Sequence, residues 1–500
     1  MKKQIILFLL IGFSLSLFAQ WNTNNTFMNL STSGEMPILK VKSAVTPSGE
    51  TWLAYSTYTS GYMVDCKIQL LDVNGEIIFD EDGLSLISNS RDLPSSADSF
   101  GLTCDDDGNA IICFPSACGL PSYMPLPRVF KIDTAGNQLW GNDGIALPVS
   151  SDMIDSCDIY KFNGEIFATW SNTDYSTMSS STYIINLAST GDLKWVNPIS
   201  VPGKNACLAP ANDGFIAFWV DNRQAKYQIY NLNGDSTEDI QILSEEGFSV
   251  NEPWSGPAFI INSVDNNFAI AFTGYTSQGE NAICFAKWQN DNIKFSEKTS
   301  DYSFENINLF LDNSTDDISI IWSSYDYSLG SKINMLSQSG NEIFDTILLE
   351  NENTLSPLYA KYTPENQIFC VWAEAEGWSG SNLKTACFNS QGIKTAELDL
   401  FFTSSDFNAG SFESTDTDAF LYMPYTNDLT YETQLIGMRI PLSCSFETTG
   451  VEKNNFNNVT NEDKSFYSID GRKIDVNSLK KGIYIEHSSQ GSRKIYVSGK

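Results

Sequence analysis

The sequence predicts an all-β fold built from one four-stranded unit repeated around a ring, and three observations predict it. First, a short apolar run, usually ending on an aromatic residue, recurs eight times: Thr51 to Tyr55, Ala110 to Phe114, Ile166 to Trp170, Phe215 to Trp219, Phe268 to Phe272, Ile318 to Trp322, Ile368 to Trp372 and Ala419 to Met423. The last residues of these runs lie 59, 56, 49, 53, 50, 50 and 51 positions apart, near the period of roughly 40 to 50 that marks blade repeats and far above any helical repeat. Second, period-2 alternation of apolar and polar residues runs through the chain without a long stretch of helical period. Third, Gly, Asn and Asp pairs punctuate it at hairpin spacing. A lone unit of this kind cannot bury its own faces, whereas units stacked radially can. The chain therefore reads as a β-propeller of eight four-stranded blades, with seven blades plus an irregular extra unit as the alternative.

The elements follow in chain order. Met1, Lys2 and Lys3 precede an apolar run from Ile5 to Phe18 that closes on Ala19, the pattern of a signal peptide spanning residues 1–19. About 14 apolar residues fall short of the roughly 20 that a membrane-spanning helix needs, and no later segment is long and apolar enough, so no transmembrane segment is expected. Residues 20–446 form the propeller. In each unit an inner strand A, such as Leu39 to Ser43 or Asn308 to Leu311, turns through a polar pair into the apolar run, strand B. A third strand and a Gly or Asn turn follow, as in Gln69 to Gly75, Phe130 to Asn137, Asn231 to Gly234 and Met335 to Asn341, and lead into strand D. The eighth unit lacks a convincing fourth strand after Ser443, and the stretch Thr26 to Ser31 has no place in any other unit. It is expected to pair with strand C of the eighth blade and remove an unpaired edge.

Charge marks the next boundary. Residues 21–450 hold 19 Lys and Arg against 55 Asp and Glu, a net of −36, whereas residues 451–500 hold nine against six, a net of +3. Residues 447–463 read as a linker and 464–500 as a separate C-terminal domain, a small β-sandwich or hairpin. That tail contains Phe466 to Lys473 with an Asp470-Gly471-Arg472 turn, then Leu479 to Ile485, then Arg493 to Val497. These elements, in this order, resemble the C-terminal sorting domain (type A) of cargo of the type IX secretion system. The Asn-Pro strand that opens that family's domain has no counterpart, since Asn454 to Asn461 is a polar stretch, which implies a shortened version. The resemblance implies that Gly471, Arg472, Gly482, Tyr484 and Lys494 carry a sorting signal. It further implies that the type IX machinery is a partner, and that the protein passes the periplasm and outer membrane to become secreted or cell-surface. Within the propeller, Trp219-Val220-Asp221-Asn222-Arg223 followed by Ile229 to Gly234, and Val129 to Asp133 with Gln138 to Trp140, resemble the repeats of uncharacterised secreted bacterial propellers, a resemblance that implies fold and no function.

Composition limits the chemistry. Sixty-one acidic against 30 basic residues give a net charge of −31, a field that repels phosphate backbones, so no nucleic-acid partner is expected. The single histidine, His487, lies in the tail, which removes His-based catalysis and His-rich metal sites from the propeller. No cofactor is expected. Calcium is the one metal with candidate ligands, in Asp105-Asp106-Asp107-Gly108-Asn109, but EF-hand spacing wants Gly where Ala110 stands and Glu where Ser116 stands, and an Asp-rich turn is the simpler reading. Ten cysteines show no zinc spacing. Cys104 with Cys113 and Cys370 with Cys387 are candidate bridges by proximity along their hairpins, and the rest read as small buried apolar residues.

The loops between strands B and C carry Tyr227, Tyr275, Tyr325, Trp378 and Tyr425 among Ser, Gly, Asn and Thr. In a propeller these loops open on one face, and such a composition suits a binding surface in which rigid amphipathic rings give contact area and small polar groups adapt their hydrogen bonds. The expected function is a secreted or cell-surface propeller that binds glycan or protein through that face, with those five residues as ligand contacts. A polysaccharide-degrading enzyme using carboxylates and tyrosines, or a structural adhesion component, are the alternatives. No catalytic residues are singled out, and catalysis is the less favoured reading.

Overall fold

The structure is a computed structural model that describes residues 28–34, 38–59, 63–80, 82–91, 100–116, 126–148, 153–174, 176–177, 179–244, 247–251, 259–264, 267–289, 292–300, 304–311, 318–326, 330–336, 347–348, 355–365, 367–375, 381–389, 393–404, 410–415, 417–426 and 433–444, then 452–453, 465–467, 473–474, 482–488 and 491–497. None of them is helical. The chain divides into two units, Met1–Cys444 and Ser445–Lys500.

The first unit is a β-propeller. It holds seven four-stranded sheets and one of five strands, so the regular blades number seven and the irregular one makes an eighth sheet. Each sheet is a meander in which strands A, B, C and D pair antiparallel in order, as in blade 3 with Met153–Phe162, Glu165–Asp174, Ser179–Leu187 and Ile199–Pro202. Strand A of each blade packs on an inner strand of a neighbouring blade, and strand A of the first blade, Ile38–Val45, packs on strands A and B of the last, which closes the ring. All eight apolar runs found in the sequence lie in strand B.

Burial explains the pattern. The strand B side chains of a blade go alternately to the two neighbouring blades: Phe215, Ala217 and Trp219 join the core shared with blade 3, while Ile216, Phe218 and Val220 join the core shared with blade 5. Trp52, Trp170, Trp219 and Trp372 are the largest fully buried side chains. Neighbouring blades are also linked edge to edge. Trp52 Nε1 donates to the Gly108 carbonyl (2.8 Å), Trp140 Nε1 to that of Ser189 (3.3 Å) and Trp195 Nε1 to that of Leu232 (3.1 Å). The C–D turns that receive Trp140 and Trp195 need glycine twice over. Gly191 has φ +95°, and a Cβ there would lie 3.0 Å from Trp140 Cδ1 and 2.5 Å from Ile145 Cδ1.

The seam joins the two ends of the unit. Met28–Gly34 pairs antiparallel with strand C of the last blade, Thr433–Pro441, with Met28 opposite Gly437 and Asn29 opposite Ile436. It therefore supplies the missing fourth strand, as its unassigned place in the repeat predicts. Leu30 is buried there against Leu435, Tyr422 and Val41. On the inner side, Ser43 N donates to Ser411 Oγ (3.1 Å) and Ser43 Oγ donates to Glu413 Oε1 (3.0 Å). Burial pushes the Glu413 carboxyl up to about 7, against the pull of the Ser43 bond and the Lys42 charge.

The cysteines depart from expectation. Cys387 bonds Cys444, while Cys104, Cys113 and Cys370 are free thiols. Register gives the reason: Cys104 stands opposite Ala110, not Cys113. Likewise Cys370 stands opposite Ala386, one residue from Cys387, and successive side chains point to opposite faces. The Asp105 segment is a turn, in which Asp105 Oδ1 accepts from the Asp107 and Asn109 amides (3.0 and 2.9 Å) and Oδ2 pairs with Lys131 Nζ (2.7 Å).

The second unit contains a five-stranded sheet. Gly482–Ser488 and Gly491–Val497 form an antiparallel hairpin, flanked by Ser465–Tyr467 and Lys473–Ile474 on one side and by Glu452–Lys453, parallel, on the other. Residues 1–19, expected to be a signal peptide, lie outside the described residues.

Candidate functional site

Every strand B runs in the same sense around the ring, so the B–C connections share one face. Tyr275 ends strand B of blade 5 (Asn267–Tyr275), Tyr325 stands one residue from the end of strand B of blade 6 (Ile318–Asp326) opposite Ser331, and Tyr425 holds the same place in blade 8 (Asp418–Thr426) opposite Gln434. These three backbones thus lie at one rim. Trp378 lies outside the described residues.

Tyr227 does not sit in a loop. It belongs to strand C of blade 4, Gln224–Asn231, opposite Phe218. Its ring packs on that of Phe218 at 5.9 Å, it is half-buried, and burial together with the Glu238 charge raises its hydroxyl pKa. The polar run Asp221 to Lys226 reads as a loop, but only Asn222 and Arg223 turn, because both adopt positive φ (51° and 60°). That is the two-residue primed turn that matches the twist of a hairpin.

The same turn builds a crevice with a mixed lining. After blade 4, Ser249–Val250 adds to the rim end of blade 5's strand B, with Ser249 opposite Tyr275 and Val250 opposite Gly274, while Ile260–Val264 pairs with the rest of that strand. Strand A of blade 5 is thus in two pieces, and this makes the five-stranded sheet. Gly274 permits it, since a Cβ there would lie 2.3 Å from the Ser249 carbonyl oxygen and 2.4 Å from Phe248 Cε1. Phe248 anchors the added strand edge-on against Phe272 (5.9 Å, 86°). Two main-chain bonds fix its course: Val250 N donates to the Arg223 carbonyl (2.8 Å) and Asn251 N to that of Thr273 (2.8 Å).

The resulting crevice measures about 380 Å³ and is lined by Arg223, Ser249, Val250, Asn251 and Tyr275. Tyr275 is 42% exposed, with its ring available at the wall. Asp221 is engaged by Lys226 Nζ (2.7 Å) and Asn222 Nδ2 (3.1 Å), whereas the Arg223 side chain makes no hydrogen bond or ion pair among the described residues. Small-ligand pockets run from roughly 300 to 1,000 Å³, so the volume suits one or two sugar-sized groups. The site offers a guanidinium, a ring face, a hydroxyl and an amide, chemistry for holding a polar ligand. Among the described residues no group of three or more His, Cys, Asp or Glu side chains converges as a metal site.

Of the residues expected at the site, the crevice takes in Tyr275 alone. Arg223, Ser249 and Asn251 were not singled out as contacts. The signal for Arg223 was Asn222, whose tolerance of positive φ flags a two-residue turn with the following side chain carried at its tip. In the tail, Gly482 stands opposite Val497, Tyr484 opposite Ile495 and Lys494 opposite Ile485, while Gly471 and Arg472 lie outside the described residues.

Fold and site together define a β-propeller with a polar crevice between two blades. The sequence matches no protein-family model and no curated protein. Among solved structures it is similar to the Dos1 propeller (10% identity, TM-score 0.47, 84% of this chain and 97% of that one). It is also similar to a protein of unknown function from Dyadobacter fermentans DSM 18053 (8%, 0.39, 82% and 97%) and to the dihydro-heme d1 dehydrogenase NirN (10%, 0.40, 77% and 81%). At this level of likeness neither ligand nor activity carries over.

Proposed function

We propose that the chain is an exported binding propeller that holds a glycan at the rim of its B–C face and is delivered to the cell surface or medium by the type IX secretion machinery. The carrying observation is the crevice of Arg223, Ser249, Asn251 and Tyr275, about 380 Å³ in volume. A protein partner would need some 800 Å² on each side, and a cleft of this size suits a sugar better. Export is supported by the basic-apolar start of the sequence, by the tail motifs, and by the Cys387–Cys444 bond, which persists in oxidising compartments.

The test is a glycan array probed with the full-length chain, paired with an assay for reducing ends released from whatever binds. Binding without release is the expected result. Release from a bound glycan would replace this reading with a hydrolase, and an array without any bound glycan would overturn it. Export is tested by deleting residues 455–500, which should abolish surface delivery while the propeller stays folded. Unimpaired delivery would remove the sorting role.

A further inference from the structure

We propose that the crevice between blades 4 and 5 recognises a single carboxylate-bearing sugar, a uronic-acid residue at the end of a glycan, with Arg223 pairing its carboxylate and the Tyr275 ring lying under the sugar. This inference rests on the glycan reading above and specifies the ligand of the same site.

Four observations carry it. Arg223 occupies the second place of a two-residue turn at φ +60°, where glycine is strongly favoured and a Cβ-bearing side chain is strained. Strain of this kind is held in place by surrounding structure and concentrates at functional sites. Here the Val250 N–H bond to the Arg223 carbonyl does the holding. Next, Lys226 takes the described neighbour Asp221, and Arg223, which lines the crevice, keeps its donors unspent among the described residues. A planar guanidinium matches a carboxylate in bidentate fashion. Third, the other walls suit sugar hydroxyls and a sugar face, through Ser249, Asn251 and the exposed ring of Tyr275. Finally, residues 21–450 carry a net charge of −36. That field opposes a polyanion or an acidic protein far more than one carboxylate on an otherwise neutral saccharide, so the ligand is a charged end group and not a charged polymer.

The test measures binding of D-galacturonic acid, D-glucuronic acid, methyl D-galacturonate and galactose to the full-length chain by titration calorimetry or ligand-observed NMR. One uronic acid should bind at least tenfold more tightly than its uncharged counterparts. Arg223→Gln should erase that preference, and Tyr275→Ala should weaken all four ligands together. Arg223→Gly separates function from folding, because it relaxes the turn: the melting temperature should hold or rise while the preference disappears. Equal affinity for galacturonic acid and its methyl ester, a preference that survives Arg223→Gly, or binding of an acidic oligopeptide in place of the uronic acids would each overturn the proposal. If other glycans bind on the array and the uronic acids do not, this inference falls and the glycan reading stands.

Discussion

Glu413 carries a carboxyl that folding holds neutral to higher pH than the unfolded chain does. Its pKa rises from 4.5 to about 7 because burial penalises the charge more than Ser43 and Lys42 relieve it. Between those two values the folded chain keeps a proton that the unfolded chain has lost, so stability falls as pH rises. The contribution is complete below about 4.5 and gone above about 7. Melting temperatures across that window should fall with pH in the wild type and flatten in Glu413→Gln, whose amide oxygen still accepts from Ser43. An unchanged slope in the variant would show that Glu413 does not titrate in this range. At Gly274 the prediction is steric. Alanine there forces the Ser249 strand away, with a cost of about 1–3 kcal/mol in chemical denaturation, and it displaces one wall of the crevice. Residue identities of this sort were unevenly legible. Tyr275 stood out because an aromatic among small polar residues is conspicuous. Arg223 did not, because its place at the crevice comes from a backbone conformation that Asn222 only hints at, and Tyr227 was misplaced because a polar strand following a two-residue turn resembles a loop.

Among the elements, the seam strand is the most consequential. Leu30 sits in the core shared by the first and last blades, and Leu30→Ala should cost about 2–5 kcal/mol as a buried large-to-small change. Because ring closure couples the blades, the loss should appear as a lower melting temperature for the whole unit. A separate early transition would show that the blades melt independently. This strand was legible by elimination, since the eighth unit had three strands and the N-terminal segment had none to join. The turns were legible too, as Asp72, Asp133 and Asn231 each cap the amides two and four residues on. Of blade 5's split inner strand, the piece at Ser249–Val250, ten residues before Ile260–Val264, was not, because two residues are too few to show an alternation.

For the molecule as a whole, the repeat was readable because each strand B must be apolar on both faces to fill two inter-blade cores, a demand that recurs at every blade. The disulfide was not readable: Cys444 meets Cys387 only when the last two blades lie side by side. The bond spans 57 residues, and closing a loop of that size stabilises the folded state by on the order of 4 kcal/mol in the chain-entropy picture. Cys387→Ser with Cys444→Ser, or reduction of the wild type, should lower the melting temperature of the propeller. No change on reduction would show that the seam strand alone secures the ring.

The place of that bond has a mechanical consequence. The chain enters the ring through a strand in the last blade and leaves it at Cys444, tied to strand C of the blade before. A pull on everything after Cys444 is delivered through a covalent link to Ser381–Phe388, the third strand of an interior blade, and along the backbone to Thr433–Pro441, which grips the seam. Tension on the tail therefore loads that bond as well as the seam. The bond lies wholly on the propeller side of the boundary between the two units, so loss of residues 445–500 would leave the fastening in place.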